Sequence, residues 1–289
     1  MKKLLFLVSF PIFLSAEKKV LLEVGLLNYE YTDNLDSAGP GQPYEPLSCD
    51  DISLDPEVLE NVETIKNGKD CTNCKLAGSC LQKVNLNGKY DLSDWSGAFI
   101  KDSNLDGSSH QNSLFKGVKL INCSLRNTKF NNSNMVKLFA PNADFTAADL
   151  TNVDIKSSKI QRAKFDYADL SYADFSGARL DNSSFKNIKM NPVTNFTYAI
   201  LRYVDFLDAT GKMVVAFGEF FPTVFCGIRM YDGTFLFDET DNCQQDEIDS
   251  FKKYLTGLGI DTKKYSSVVN WNNNLIAPKE INFPEPQAQ

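Results

Sequence analysis

The run Ala163-Lys164-Phe165-Asp166-Tyr167-Ala168-Asp169-Leu170-Ser171-Tyr172-Ala173-Asp174-Phe175-Ser176-Gly177-Ala178-Arg179-Leu180 carries the rhythm on which the whole chain is built. A large apolar residue returns every fifth position, at Phe165, Leu170, Phe175 and Leu180, with an alanine two places before each. The beat extends outward in both directions. From Trp95 to Met190 there are 20 such centres, of which 18 carry a large apolar side chain; His110 and Ala140 are the exceptions. A period of five matches neither the 3.6 of a helix nor the 2 of a strand. It is an internal repeat.

Side chains alternate across an extended chain, so a centre and the small residue two places before it face the same way. The next centre, five residues on, would face the opposite way if the chain stayed straight. All centres reach one interior only if the chain turns once per repeat. Four turns close a square coil of about 20 residues, and successive coils stack about 4.8 Å apart, like neighbouring strands. The runs Ala143-Asp144-Phe145-Thr146, Ala148-Asp149-Leu150-Thr151, Ala168-Asp169-Leu170-Ser171 and Ala173-Asp174-Phe175-Ser176 resemble the A-(D/N)-(L/F)-(S/T)-x consensus of the pentapeptide-repeat family. The resemblance covers roughly residues 76–206. It implies an all-β solenoid, a right-handed quadrilateral β-helix. The stretch Cys71-Thr72-Asn73-Cys74-Lys75-Leu76-Ala77-Gly78 resembles the opening segment of some secreted members. Thr223-Val224-Phe225-Cys226-Gly227-Ile228-Arg229-Met230-Tyr231-Asp232-Gly233 resembles their closing segment, departing from it at Ile228 and Tyr231.

Around this core the chain divides into four parts. Met1-Lys2-Lys3, the apolar run Leu4 to Leu14 and Ser15-Ala16 read as a signal peptide, residues 1–16. The chain is then expected to be exported to the periplasm, with no membrane insertion after cleavage. Residues 17–70 should hold an extended segment, a Gly- and Pro-rich loop at Asp36 to Pro46, and a helix. Asp55 as N-cap, Pro56 in the first turn, Lys66 late and Gly68 after it frame that helix. Its stripe Val58, Leu59, Val62 and Ile65 is expected to cover the open end of the coil at Leu76 and Leu81. Residues 71–237 form the β-helix. The register slips by one residue at Tyr90 and again after Met190, giving Phe196, Leu201 and Phe206. Phe220, Phe225, Met230 and Phe235 keep the five-residue spacing and suggest a last distorted coil. Residues 238–289 should provide a second capping helix, Asn242 to Leu255, and a tail.

Seven cysteines accompany the export signal. Cys123 falls in the small inward slot before Leu125 and should be a buried free thiol. The remaining six, Cys49, Cys71, Cys74, Cys80, Cys226 and Cys243, are disulfide candidates in an oxidising compartment. Cys226 and Cys243 are expected to bridge. The other four should form two pairs, with connectivity open. Cys71-x-x-Cys74 also admits a redox pair or half a zinc site, although it follows a helix rather than opening one.

No catalytic pattern emerges, and neither a cofactor nor a metal is expected. The single histidine, His110, stands on a centre position beside Gly107-Ser108-Ser109 and reads as a core or loop residue at a local bulge. Asp144, Asp149, Asp154, Asp169 and Asp174, each just before a centre, read as turn residues bonding the local backbone. The resemblance also implies a comparison with the quinolone-resistance pentapeptide proteins, which bind gyrase by DNA mimicry. The net charge of −7 invites that reading, but from Trp95 to Phe206 there are 14 Lys and Arg against 10 Asp and no Glu. A duplex mimic needs negative charge along the rod, so no nucleic-acid role is expected. What remains is a non-enzymatic scaffold for a protein partner or for self-association. Phe99 and Phe139, in outward positions of one column with Lys119 between them, are its interaction candidates. A loop or flank lying over them is the competing reading. The alternative function is a cysteine-based redox or metal-binding accessory.

Overall fold

The structure is a computed structural model that describes Cys49, residues 55–216, 223–229 and 235–237, Asp249, Lys253, and residues 265–267 and 278–282. The signal peptide, the 36–46 loop and the second helix lie outside the described residues, except that Asp249 and Lys253 are helical and exposed.

Helix α1, Pro56–Lys66, begins as its sequence dictates. The Asp55 carboxylate accepts from the Glu57 N–H at 2.9 Å, satisfying an orphan donor of the first turn. Val58, Val62 and Ile65 are buried and share the apolar cluster that contains Leu76 and Leu81. Leu59 is 49 % exposed, a correction to the expected stripe. The buried set is spaced i, i+4, i+7, and Leu59 lies about 100° round the helix from Val58.

The coil then stacks on itself. Parallel bridges join Leu114 to Asn134, Asn134 to Asp154 and Asp154 to Asp174, a register of 20 residues per turn. Three short strands of one wall, β1 (Cys80–Gln82), β2 (Phe99–Lys101) and β3 (Lys119–Ile121), pair in the same parallel sense. In the first coil the offset is 19, as between Lys75 and Asp94, because Leu86 to Tyr90 spans four residues. Beyond Met190 it is 21, as between Asp174 and Asn195. Both slips stand where the spacing of the centres puts them.

Backbone polar groups are satisfied along the stack rather than within a coil. Phe165 N–H donates to the Ser184 carbonyl at 2.7 Å and Lys164 N–H to that of Ala143 at 3.0 Å, while Ala168 N–H closes a local turn on Phe165 at 2.9 Å. The corner two residues after nearly every centre has positive φ and is most often Asn or Gly, which tolerate it. Asp169 Oδ1 accepts from the Ser171 N–H at 3.0 Å and Asp174 Oδ1 from that of Ser176 at 2.9 Å, so these acids are turn residues.

Down the axis the aromatic rings stack on their equivalents one coil away and meet those of the next wall edge to face. Phe145 lies over Phe165 at 5.0 Å and Phe165 over Phe185 at 4.6 Å, while Phe165 meets Phe175 at 5.7 Å and 86°. The regular coil then continues into β4 (Lys189–Asn195), β5 (Ile200–Arg202), β6 (Thr210–Ala216) and β7 (Val224–Arg229). Strand β7 pairs parallel with β5, but the chain then reverses: β8 (Phe235–Phe237) is antiparallel to β7, with Arg229 opposite Phe235. Phe235 is therefore not the next centre of a further coil. Strand β9 (Tyr265–Ser267) adds to β8, and β10 (Pro278–Asn282) pairs antiparallel with β6. At this end Arg229 Nη1 lies 3.2 Å from Asp205 Oδ2, both side chains buried. Burial raises the Asp205 carboxyl despite the opposing pull of Arg229.

Candidate functional site

His110 sits on the axis in register, without a bulge, which corrects the expectation drawn from its Gly-Ser-Ser flank. It is fully buried, stacked on Phe130 at 5.0 Å and 9° and edge-on to Trp95 and Phe115. Nε2 meets Ser108 Oγ at 2.9 Å, and Nδ1 has no partner. Burial holds its pKa down at about 3, so the ring is neutral at ordinary pH. Sealed from solvent, it reaches no substrate. Cys123 is equally enclosed; burial pushes its thiol up to about 12, which leaves it inert.

Cys49 is bonded to Cys80, Cα to Cα 5.3 Å, and Cys71 to Cys74, Cα to Cα 5.6 Å. Cys226 is also disulfide-bonded, to a partner outside the described residues; Cys243 lies there too. The Cys71–Cys74 bridge closes a turn after α1 and, among the described residues, faces no helix N-terminus. Among the described residues no group of three His, Cys, Asp or Glu converges to hold a metal. A cleft of about 420 Å³, lined by Asp70, Lys89, Asp91, Ser109, Gln111 and Lys129 among others, opens beside the shortened first coil. Its acids hold the fold rather than a ligand. Asp91 Oδ1 accepts from Ser109 Oγ at 2.6 Å and the Gln111 N–H at 2.8 Å, and Asp70 Oδ1 accepts from the Lys89 N–H at 2.7 Å.

The walls differ in charge. Three of them carry cross-coil ion pairs: Arg126 with Asp144 at 2.8 Å, Lys156 with Asp174 at 3.3 Å, and Lys189 with Asp169 at 2.8 Å. Burial works against ionisation of Asp144 and Asp169, yet their hydrogen-bonding and cationic neighbours win and lower both carboxyls. The fourth wall is unlike these. Its two outward columns run Phe99, Lys119, Phe139, Lys159, Arg179, Ile200 and Lys101, Ile121, Pro141, Gln161, Asp181, Arg202. Five bases face one acid, and that acid, Asp181, is buried beside Arg179 at 3.5 Å. Lys101, Lys119 and Lys159 make no ion pair among the described residues. Phe99 is only 6 % exposed, so it is no open anchor; Phe139 is half-buried and is not without a partner.

The sequence reading missed the tyrosines. Tyr167, Tyr172 and Tyr198 are 65 %, 60 % and 52 % exposed, and each occupies a corner with φ near +60°. Tyr167 and Tyr172 are successive corners of one coil and bracket the wall of Asp169 and Ser171. A bulky side chain at positive φ is disfavoured where Asn or Gly suffices. The signal was legible once the five-residue phase was set: the place two after a centre reads Asn again and again before Tyr167.

The family model for pentapeptide repeats, eight copies, matches residues 100–135 and 158–191. No curated protein matches the chain. A trypsin-treated variant of QnrB1, a plasmid-mediated fluoroquinolone resistance protein, is 17 % identical, over 47 % of this chain and 71 % of its own, with a TM-score of 0.40. HetL, a pentapeptide repeat protein involved in heterocyst differentiation regulation from the cyanobacterium Nostoc sp. strain PCC 7120, is 17 % identical over 58 % and 89 %, at 0.24. A pentapeptide repeat protein of the Arabidopsis thaliana thylakoid lumen is 19 % identical over 65 % and 90 %, at 0.19. Scores this low carry no argument about mechanism, and the repeat match stands on the sequence.

Proposed function

We propose that this pentapeptide-repeat chain is a non-enzymatic scaffold, exported to the periplasm, that binds a protein partner through the tyrosine-bearing corners of its β-helix. The observation that carries the reading is the exposure of Tyr167 and Tyr172 on left-handed corners, where the fold itself prefers Asn or Gly. Strained backbone kept at an exposed aromatic points to use rather than to packing. Tyrosine supplies broad apolar contact with a polar tip at small entropic cost, which is why interfaces are rich in it. The rod itself is stiff, so the two rings arrive preorganised. Capping of the first end by α1 belongs to the same reading: the helix lays Val58, Val62 and Ile65 over an axis that would otherwise stack on a second copy. The export signal rests on residues 1–16 and on the disulfides, which need an oxidising compartment.

A photo-crosslinking residue placed at 167 or 172 in the source cells should capture a discrete protein, whereas the same residue at 137, on another corner, should not. The double substitution Tyr167→Asn, Tyr172→Asn should abolish capture while leaving the melting temperature unchanged or slightly higher. Equal capture from all three sites would sink the reading.

A further inference from the structure

From the charge and cover of the fourth wall we infer that it is the docking surface for the chain's own acidic segment, residues 20–48. This rests on different residues from the tyrosine corners and stands independently of them. The wall presents Lys119 and Lys159 interleaved with Phe99 and Phe139 in one column. The lysines make no ion pair among the described residues, whereas each of the other walls carries one across its coils. The two aromatics do not face open solvent: Phe99 is buried, and Phe139 is engaged. Gln161, also in an outward position, is buried as well. A surface with unmatched cations and covered aromatics calls for an occupant that is acidic and carries apolar or aromatic side chains.

Residues 20–48 have that composition. They contain Glu23, Glu30, Asp33, Asp36 and Glu45, no Lys or Arg, and the rings Tyr29, Tyr31 and Tyr44. The tether is in place. Cys49 is bonded to Cys80, and Cys80 pairs directly with Phe99 at the head of the column. From Cys80 the column passes through Phe99, Lys119, Phe139, Lys159 and Arg179 to Ile200, six inter-coil steps or about 29 Å. A 29-residue segment can extend to about 95 Å, so reach does not limit it. Each exposed ion pair is weak alone. Tethering supplies an effective concentration in the millimolar range, at which several weak contacts suffice.

Zero-length carbodiimide coupling of the purified full chain, made from a mixture of ¹⁵N-labelled and unlabelled protein, tests this. The expected products are amide links within one chain from Glu30, Asp33, Asp36 or Glu45 to Lys119 and Lys159. Links only between labelled and unlabelled chains would assign the wall to a second copy and overturn the proposal; so would links from these lysines to other segments alone. The charge reversal Lys119→Glu, Lys159→Glu provides the second arm. It should raise the rate of limited proteolysis within 20–48 by about fivefold, the equivalent of two surface ion pairs. Lys129→Glu, on the opposite wall, should leave that rate unchanged. Equal rates in all three proteins would also overturn it. Tyr167→Asn, Tyr172→Asn should not alter the links, which separates failure here from failure of the corner reading.

Discussion

The two ends of the axis are built on different principles. Toward the C-terminal end the interior is an unbroken ladder of Phe145, Phe165, Phe175, Phe185, Phe196 and Phe206, all fully buried and free of polar atoms. Toward the N-terminal end the same slots hold Tyr90, Trp95 and His110, and Trp95 Nε1 and His110 Nδ1 are buried without partners. A buried polar atom left unpaired costs about 1–3 kcal/mol. This end is the one held by Cys49–Cys80 and Cys71–Cys74, and α1 adds Val58, Val62 and Ile65 to its apolar cluster. Cross-links and an added helix stand where packing alone is weaker. Solenoid stability is roughly a sum over neighbouring coils, so the two ends should fail separately.

The largest effect should come from the hydrocarbon ladder. Phe165→Ala removes a ring held between Phe145 and Phe185 and should cost about 3–5 kcal/mol in urea melts. Lys164→Ala, one residue away on an exposed wall position, should stay within about 0.5 kcal/mol. Equal costs would mean that the inward register is wrong. Asp166 is a different kind of wall residue. Its Oδ1 accepts from Ser184 Oγ and from the Lys186 N–H at 3.0 Å, so Asp166→Ala should cost about 1 kcal/mol rather than nothing.

Selective reduction of Cys49–Cys80 should come next, at about 2–4 kcal/mol for a cross-link of this kind. Its signature is spatial. Hydrogen exchange should accelerate around residues 71–90 while amides from 145 to 206 remain protected. Uniform acceleration along the chain would show that the ends are not independent.

These contrasts mark what the sequence could and could not convey. Register was legible because an inward slot tolerates so few residue types that each slip, at Tyr90 and at Phe196, displaces every later centre. The turn role of Asp169 and Asp174 was legible for a local reason: their partners are two residues away. Cover was not legible. Phe99 stands on an outward position, and the spacing left an open anchor and a covered one as equal readings; the structure buries it. The bulge expected at His110 was drawn from flanking Gly and Ser, which here occupy an ordinary corner and the small inward slot. The reversal after β7 was likewise hidden, because the five-residue spacing persists to Phe235 although pairing turns antiparallel. The corner tyrosines stood at a position where Asn recurs, but the positive φ that disfavours a ring there is a backbone property that spacing alone does not display.

Acid should separate the two ends next. The unfolded chain binds a proton on His110 as pH falls below about 6.5, while the folded ring, with its pKa lowered by burial to about 3, does not. The unfolded state therefore gains protons first. Stability is complete above 6.5 and is lost as pH falls through the window down to 3, at up to about 1.4 kcal/mol per pH unit. His110→Phe should remove that slope and also relieve the unpaired Nδ1. Comparing the two proteins in urea at pH 7.5 and 4.5 cancels the carboxylates they share. An unchanged difference between the two pH values would place the acid sensitivity elsewhere, with Asp144 and Asp169, whose carboxyls are held low in the folded chain, the next groups to substitute.

The smallest expected change is the one with the sharpest meaning. Tyr167 has φ +62° and its N–H donates to the Lys186 carbonyl at 2.8 Å, so the corner is fixed by the stack whatever side chain it carries. Asn tolerates that conformation better than a ring does. Nothing in the axis is lost with the ring, because 65 % of the residue is exposed. Tyr167→Asn should therefore leave stability unchanged or raise it by a few tenths of a kcal/mol, against a typical substitution cost of about 1 kcal/mol. If melts show a loss above about 1 kcal/mol instead, the tyrosine is a packing residue of its corner and the argument for a partner loses its footing.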